Sequence, residues 1–527
     1  MMKRTIGKLP TLVLVFCIIA SMALTGCGAN TNSTTTTGDK TAVNQTTPTS
    51  SPAAAVVEEP YEFTAFRSSW QTIDENTDPV VLELNQKLNI KIRIVTAPYE
   101  SWEEKYNVMM ASGTVPDVSV TSGTGWGNFN DWCKQGKYMD ITELYKQYCP
   151  NVAKYVSDDL ISQVSIGGKL YGVPKPTGKD TSVIVFRKDW LDKVGLPLPA
   201  TFDEYDAVMR AFTFNDPDGN NKNDTYGMLT DETLTLSRPV FLAFGLDGNI
   251  GNGYNWYKKD DGTLASTLTQ PEAKDAIKYL AGLYKEGIMD PDWMLTKSQG
   301  WADKLNAGKG GIIAQISISE ISLYETNMKS VEPKATLEPV AQITSKDGTI
   351  RRNPSTGYYM MSSISSKVKR PEKILEFIDY LASDEGGYLL KYGIEDLTYT
   401  KKDGKIVVDE KAQEKYGMLG GHLINRMMFP PMTFPATDER TTKYNEMLKP
   451  FIELGTFSPA PPVVLPSAEE VASKQGGDYV KKMLTEMVCN KVDVDANWDK
   501  FIADWRATGG DQLTKEINEA YKASSGK

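Results

Sequence analysis

The sequence predicts an α/β protein in which strands and helices alternate, divided between two lobes. Three observations carry this. Between Tyr61 and Thr121, apolar runs of period two alternate with runs of helical period. Further along, amphipathic helices opened by proline recur. The stretch from Tyr61 to Lys527 is also too long for one hydrophobic core.

The N-terminal segment stands apart from that fold. Lys3, Arg4 and Lys8 form a positive region, Leu9 to Leu24 an apolar one, and Leu24-Thr25-Gly26-Cys27 a small-residue cleavage site ending in cysteine. This looks like a bacterial lipoprotein signal, which implies cleavage before Cys27 and a diacylglyceryl group on its thiol. The other reading is an ordinary secretory signal with an incidental cysteine. The apolar run is shorter than the roughly 20 residues of a membrane-spanning helix. Residues 1–26 are then a signal peptide, and 27–60 a lipidated cysteine followed by a Thr/Ser-rich tether with too few large apolar side chains to offset its ordering entropy. The body is expected at the extracytoplasmic face of the cell membrane, held there by lipid.

Within the body, Tyr61 to Ser69 reads as a strand, Pro79 to Leu88 as a helix, and Asn89 to Ala97 as a strand with Ile90, Ile92 and Ile94 on one face. Ser101-Trp102-Glu103-Glu104 fits a capping box opening a helix, with Trp102, Tyr106 and Met109 or Met110 on one stripe and Gly113 at its end. Asp117 to Thr121 is the next strand. This order is the rhythm of a parallel α/β sheet. Pro271 to Glu286 is a helix, with Ala273, Ala276, Ile277, Leu280 and Tyr284 on one side and Gly287 behind it, and Pro371 to Leu381 is another.

Removing residues 1–26 takes away three of the 58 Lys and Arg and none of the 68 Asp and Glu, moving the net charge from −10 to −13. No basic run interrupts this balance, which argues against nucleic acid as a partner. Cys133 and Cys149 are close enough in sequence to bridge, or to be two buried thiols. No G-x-S-x-G, Walker loop, H-E-x-x-H or zinc spacing is present, and the single histidine, His422, has no triad neighbours.

Four segments behind the signal resemble the extracellular solute-binding proteins of ABC importers, in particular the large carbohydrate-type lipoproteins of family 1. They are ASGTVPDVSV (Ala111 to Val120), GGKLYGVPKP (Gly167 to Pro176), VFRKDWLDKVGLPLPATFDEY (Val185 to Tyr205) and RPEKILEFIDYLASDEGGYLLKYG (Arg370 to Gly393). The resemblance implies a type II periplasmic-binding-protein-like fold: two α/β lobes, a hinge the chain crosses more than once, and a ligand clamped between. A first crossing at LYGVPKP gives 61–177 plus 319–383 for the first lobe and 178–318 plus 384–527 for the second. The family's role implies a monomeric receptor that delivers an oligosaccharide to ABC transporter permease subunits without covalent chemistry. The reading from another class is a secreted lipoprotein glycosidase acting on polysaccharide, which would need a pair of carboxylates about 5 to 9.5 Å apart.

The loop Asn215 to Gly227, NDPDGNNKNDTYG, is spaced for calcium. Asp216, Asp218, Asn220 and Asp224 would offer side-chain oxygens at positions 1, 3, 5 and 9, and Lys222 a backbone carbonyl at position 7. It departs from a full EF-hand at position 6, which is Asn221, and at position 12, which is Gly227. Some related solute-binding proteins complete such a shortened loop with an acidic residue after position 9; here that residue is Thr225. A plain Asp/Asn/Gly surface turn is the other reading.

A sugar binder needs aromatic faces for C–H-rich rings and a few orienting polar groups. Aromatics in loop-like surroundings are Trp70, Trp126, Trp256, Trp301, Tyr358 and Tyr359. Ligands of open α/β sheets bind at the carboxyl ends of strands, which favours Trp70 and Trp126. Arg351 and Arg352 read as a solvated basic loop or as partners of an acidic sugar, leaving open whether the ligand is neutral or acidic.

Overall fold

A computed structural model describes residues 58–525 except 70–73, 99–100, 122, 124–126, 247, 251–254, 298–299, 403–404, 417–423, 425, 433–434, 436–437, 462–464, 466 and 468–475. The signal, Cys27, Trp70, Trp126 and His422 lie outside these residues. No helix among the described residues is long and apolar enough to cross a membrane.

The strands, in chain order, are β1 (Tyr61–Ser68), β2 (Ile90–Ala97), β3 (Val118–Thr121), β4 (Val173–Pro176), β5 (Val183–Arg187), β6 (Trp256–Lys258), β7 (Leu264–Ser266), β8 (Ile312–Ile316), β9 (Leu337–Val340), β10 (Tyr358–Ile364), β11 (Tyr399–Lys402) and β12 (Lys405–Val408). The first sheet runs β2-β1-β3-β10-β4, with β1 parallel to β2 and β3, and β10 antiparallel to both β3 and β4. The second runs β8-β5-β9 and is antiparallel throughout. The parallel rhythm of the sequence therefore holds for β1 to β3 but not for the second sheet. The edge strands β4 and β9 carry Pro174, Pro176 and Pro339, tolerated where ladder hydrogen bonds are not needed on the outer side.

The helix Pro79–Leu88 begins and ends where the sequence places it, with Asp78 accepting from the amides of Val80 and Val81. The helix Trp102–Ser112 ends at Gly113 in the left-handed region, but Ser101 makes no capping hydrogen bond, so the expected capping box does not form. A capping box does form at Thr201 and Glu204, opening the helix Phe202–Phe214.

Among the described residues, these two sheets are packed in separate hydrophobic surroundings, one core for the first and one on each face of the second. The first gathers Phe63, Ile92, Val118 and Met361 with Leu375, Ile378 and Leu381. In the second, β5 alternates: Ile184 and Phe186 join Trp190, Phe212 and Trp293 on one face, and Val183 and Val185 join Ile313 and Leu337 on the other. The packing groups two stretches differently from the lobe boundaries expected from sequence. Residues 319–340 belong with the second sheet, because β9 pairs with β5 and carries Ile321, Met328 and Leu337 with it. The helix Asp384–Tyr392 stays with the first, because only two residues join it to the helix Pro371–Leu381, too short a link to cross. Leu389 and Leu390 accordingly pack there, and so does Met428.

The chain passes between the cores over 177–182, over 344–357, and between Met428 and Tyr444. At the junction the Thr177 amide donates to the Gly357 carbonyl at 3.0 Å, the Thr177 and Ser355 hydroxyls meet at 3.1 Å, and the Ser355 amide donates to the Thr456 carbonyl at 2.8 Å. Cys133, Cys149 and Cys489 are buried free thiols, so no Cys133–Cys149 bridge forms; burial pushes the Cys133 thiol up to about 12.

Candidate functional site

The carboxyl ends of β1, β3 and β4 share one edge of the first sheet, and antiparallel β10 begins on that edge. Both hinge segments next to it leave from there, after Pro176 and before Tyr358. This edge gathers an exposed ring and three cations.

Tyr359 supplies the ring. In the β10–β4 ladder Tyr358 pairs with Pro176 and Met360 with Lys175, so Tyr359 is the extra residue of a bulge. A bulge re-aims a side chain out of the pleat, and Tyr359 is 48% exposed while Tyr358 is buried in the core. Arg426 donates from Nη1 to the Tyr359 hydroxyl at 2.8 Å, with its guanidinium 5.4 Å from the ring centre. Lys175 Nζ lies 5.8 Å from the same ring and 6.0 Å from that of Phe429. Arg67, at the end of β1, is buried, and its Nε donates to the Ser68 carbonyl. Burial, and after it the charges of Arg426 and Arg67, push the Lys175 ammonium down to about 8.

Of the other aromatics named from sequence, Trp256 packs with Leu264, Leu465 and Leu513, and Trp301 packs with Leu305 and Tyr324; both are buried core residues. Small polar neighbours in sequence do not distinguish a loop in a cleft from a loop folded over a core. Arg351 closes an exposed loop, as the solvated reading expects, whereas Arg352 does not belong to it. Arg351 grips Asp347, and Arg352 is buried, donating to the carbonyls of Ala341, Asp180 and Ser182 across the hinge. Sequence reasoning missed Lys175, Arg426, Phe429 and Arg67. The available signal was the P-K-P triplet, a lysine fixed between prolines where the chain leaves the sheet.

The acidic loop follows the helix Phe202–Phe214. The Asn220 amide donates to Asp218 at 2.7 Å and to Asp224 at 3.0 Å, the Asn221 backbone amide donates to Asp216, and the Lys222 amide to the Asn220 side-chain oxygen. Lys309 Nζ caps the second Asp224 oxygen at 2.7 Å. Burial first, and then the Asp216 and Asp224 carboxylates, raise the Asp218 carboxyl above its ordinary range. Asn221, where an EF-hand has glycine, adopts φ +60°. Gly227 is also explained: a Cβ there would lie 2.2 Å from the Met209 carbonyl oxygen, leaving no room for glutamate. Thr225 donates to the Phe212 carbonyl and ties the loop to its helix. The oxygen set suits a hard cation, although no three Asp, Glu, His or Cys side chains among the described residues stand in a metal-holding arrangement.

Comparison with known proteins places this edge in context. Residues 69–388 match the model of the bacterial extracellular solute-binding protein family. Over 96% of the chain and 97% of its relative, the sequence is 25% identical to lipoprotein LipO of Bacillus subtilis; over 86% and 91% it is 26% identical to the polygalacturonan/rhamnogalacturonan-binding protein YtcQ of the same organism. Among solved structures, an EF-hand mutant of the Streptococcus pneumoniae ABC-transporter substrate-binding protein FusA, in complex with fructo-nystose, superposes with a TM-score of 0.65 at 17% identity, over 89% of this chain and 100% of that one. The fold is that of the type II solute-binding proteins, and with three-fifths of its length matched the chain belongs to the bacterial extracellular solute-binding protein family.

Proposed function

We propose that the protein captures an oligosaccharide between its lobes and presents it, as a monomer moored through Cys27, to the permease of an ABC importer. The observation that carries this is the exposed ring of Tyr359, set on a bulge among hydrogen-bonding cations where the hinge leaves the sheet. Aromatic faces stack on sugar rings and polar groups fix their orientation. The relatives support the solute class but not its charge: a polygalacturonan carries carboxylates, and fructo-nystose carries none. The protein's role is binding; ligand affinity favours the closed form, which is the form a permease reads. Thermal unfolding against a panel of oligosaccharides tests this, since a ligand at a hundred times its Kd stabilises by about 2.7 kcal/mol. Shorter sugars accumulating during incubation would instead reveal the glycosidase.

The same reading places a structural Ca2+ in the acidic loop, held by the side chains of Asp216, Asp218, Asn220 and Asp224 and the carbonyl of Lys222. The cation would neutralise carboxylates that now lean on Asn220 and Lys309. Chelation is expected to lower the melting temperature by several degrees, and Asp218→Ala to abolish that sensitivity. A melting curve indifferent to chelator would remove the metal from the account.

A further inference from the structure

Most buried or half-buried arginines of this protein meet a carboxylate: Arg187 meets Asp189, Arg440 meets Glu325, and Arg352 has Asp180 at 3.5 Å. The edge around Tyr359 departs from this. Lys175 and Arg426 form no ion pair among the described residues; their partners are the Tyr359 ring and hydroxyl and the Phe429 ring. Arg67 adds a third positive charge nearby. Lys175 and Arg426, drawn together and partly desolvated without a carboxylate partner among the described residues, carry a cost in free energy that packing does not return.

The backbone also holds Lys175 in place. Pro174 and Pro176 fix φ on either side of it, and a residue before proline is confined to extended backbone. Its carbon stem lies in the edge strand opposite the Tyr359 bulge, so the ammonium and the ring are presented together. An anion bound between Lys175 and Arg426 would sit beside the exposed ring, within reach of a sugar stacked on it. The concavities lined by Trp498 and Arg506, or by Tyr380 and Tyr388, lie on other elements and lack this pairing.

We propose that the captured solute is an acidic oligosaccharide whose uronate carboxylate is bound by Lys175 and Arg426 while its ring stacks on Tyr359. This rests on the oligosaccharide reading above and adds the charge of the solute to it. Discharge of Lys175 then sets the pH dependence. Among the described residues the charged groups facing it are Arg67 from β1 and Arg426, flanked by Ile424 and Met427 of the first core, with Tyr359 and Phe429 as neutral rings. Raising the pH through about 8 deprotonates the unliganded lysine, so affinity for an anion falls on the alkaline side.

The test is titration calorimetry on the protein with galacturonate, glucuronate and mannuronate trimers, their methyl esters, and neutral fructo- and galacto-trisaccharides. At least one uronate trimer is expected to bind 30-fold or more tighter than its methyl ester. Lys175→Gln and Arg426→Gln should each weaken that trimer about tenfold without lowering the melting temperature, a readout that a merely structural role would move. Lys175→Arg should keep the acid preference and flatten the loss of affinity between pH 7 and 9.5. Neutral sugars or esters binding as tightly as the uronates would overturn the acidic assignment and leave oligosaccharide capture standing. No binding of any member would overturn both.

Discussion

Arg187→Met is expected to destabilise the protein by about 3 kcal/mol, the low end of the cost of breaking a buried ion pair. The Arg187 side chain is fully buried, its guanidinium 4.5 Å from the centre of the Trp190 ring. Nε and Nη2 grip the two Asp189 oxygens at 2.8 and 2.6 Å, and Nη2 also meets Glu332. Asp189 in turn accepts from the Thr336 amide, just before β9. One guanidinium thus joins β5, the start of the next helix and the entry to β9. Removing it strands two carboxylates against each other, softened because each keeps about a quarter of its side-chain exposure. In urea unfolding the midpoint should fall with the slope unchanged. A loss below about 1 kcal/mol would show that water already carries most of the pair. Replacing all three charged residues by apolar ones of similar volume should recover much of the loss, since the intact set gains little over good packing.

Gly227→Ala is expected to cost nearly as much, about 3 kcal/mol, at the upper end of overpacking effects. The added methyl would stand 2.2 Å from the Met209 carbonyl oxygen and 2.6 Å from its carbon, both in the helix Phe202–Phe214. A side chain can rotate away; this helix backbone cannot move without disturbing the buried Met209 and Phe212. Gly227 also donates its amide to the Thr213 hydroxyl at 2.9 Å, so a shift breaks that bond too. Thermal unfolding in chelator isolates the packing effect from any metal. A melting temperature within a degree of the parent would mean the loop slides freely, against the geometry described.

Elements were legible in the sequence where one local signal sufficed. The helices Pro79–Leu88 and Pro371–Leu381 match to the residue because proline opens each and apolar spacing continues to the last turn. Ser101 shows the limit: its sequence fits a cap, but its φ and ψ turn the hydroxyl away from use. Lobe boundaries were less legible, because membership of residues 319–340 depends on β9 pairing with β5, a partner some 150 positions distant. Within the site, Tyr359 was visible as an aromatic beside small residues. Lys175 and Arg426 were not, because their meaning depends on a one-residue register shift and on charges far apart in sequence. Trp256 and Trp301 had the same local signature as Tyr359 and are buried, so composition around an aromatic does not report its exposure.

Two of the crossing segments, and the loop that follows the helix Glu439–Ile452, do more than connect. Thr177, Ser355 and Thr456 lash their strands side by side into a short ribbon. A ribbon flexes readily across its face but resists sliding and twisting, so relative rotation of the lobes is channelled about a single axis. Along such a track, closure needs no search through sideways or corkscrew arrangements, and less of the solute's affinity is spent on ordering the receptor. The junction works like a stiff leather strap on a book cover, whose two boards can meet in only one way.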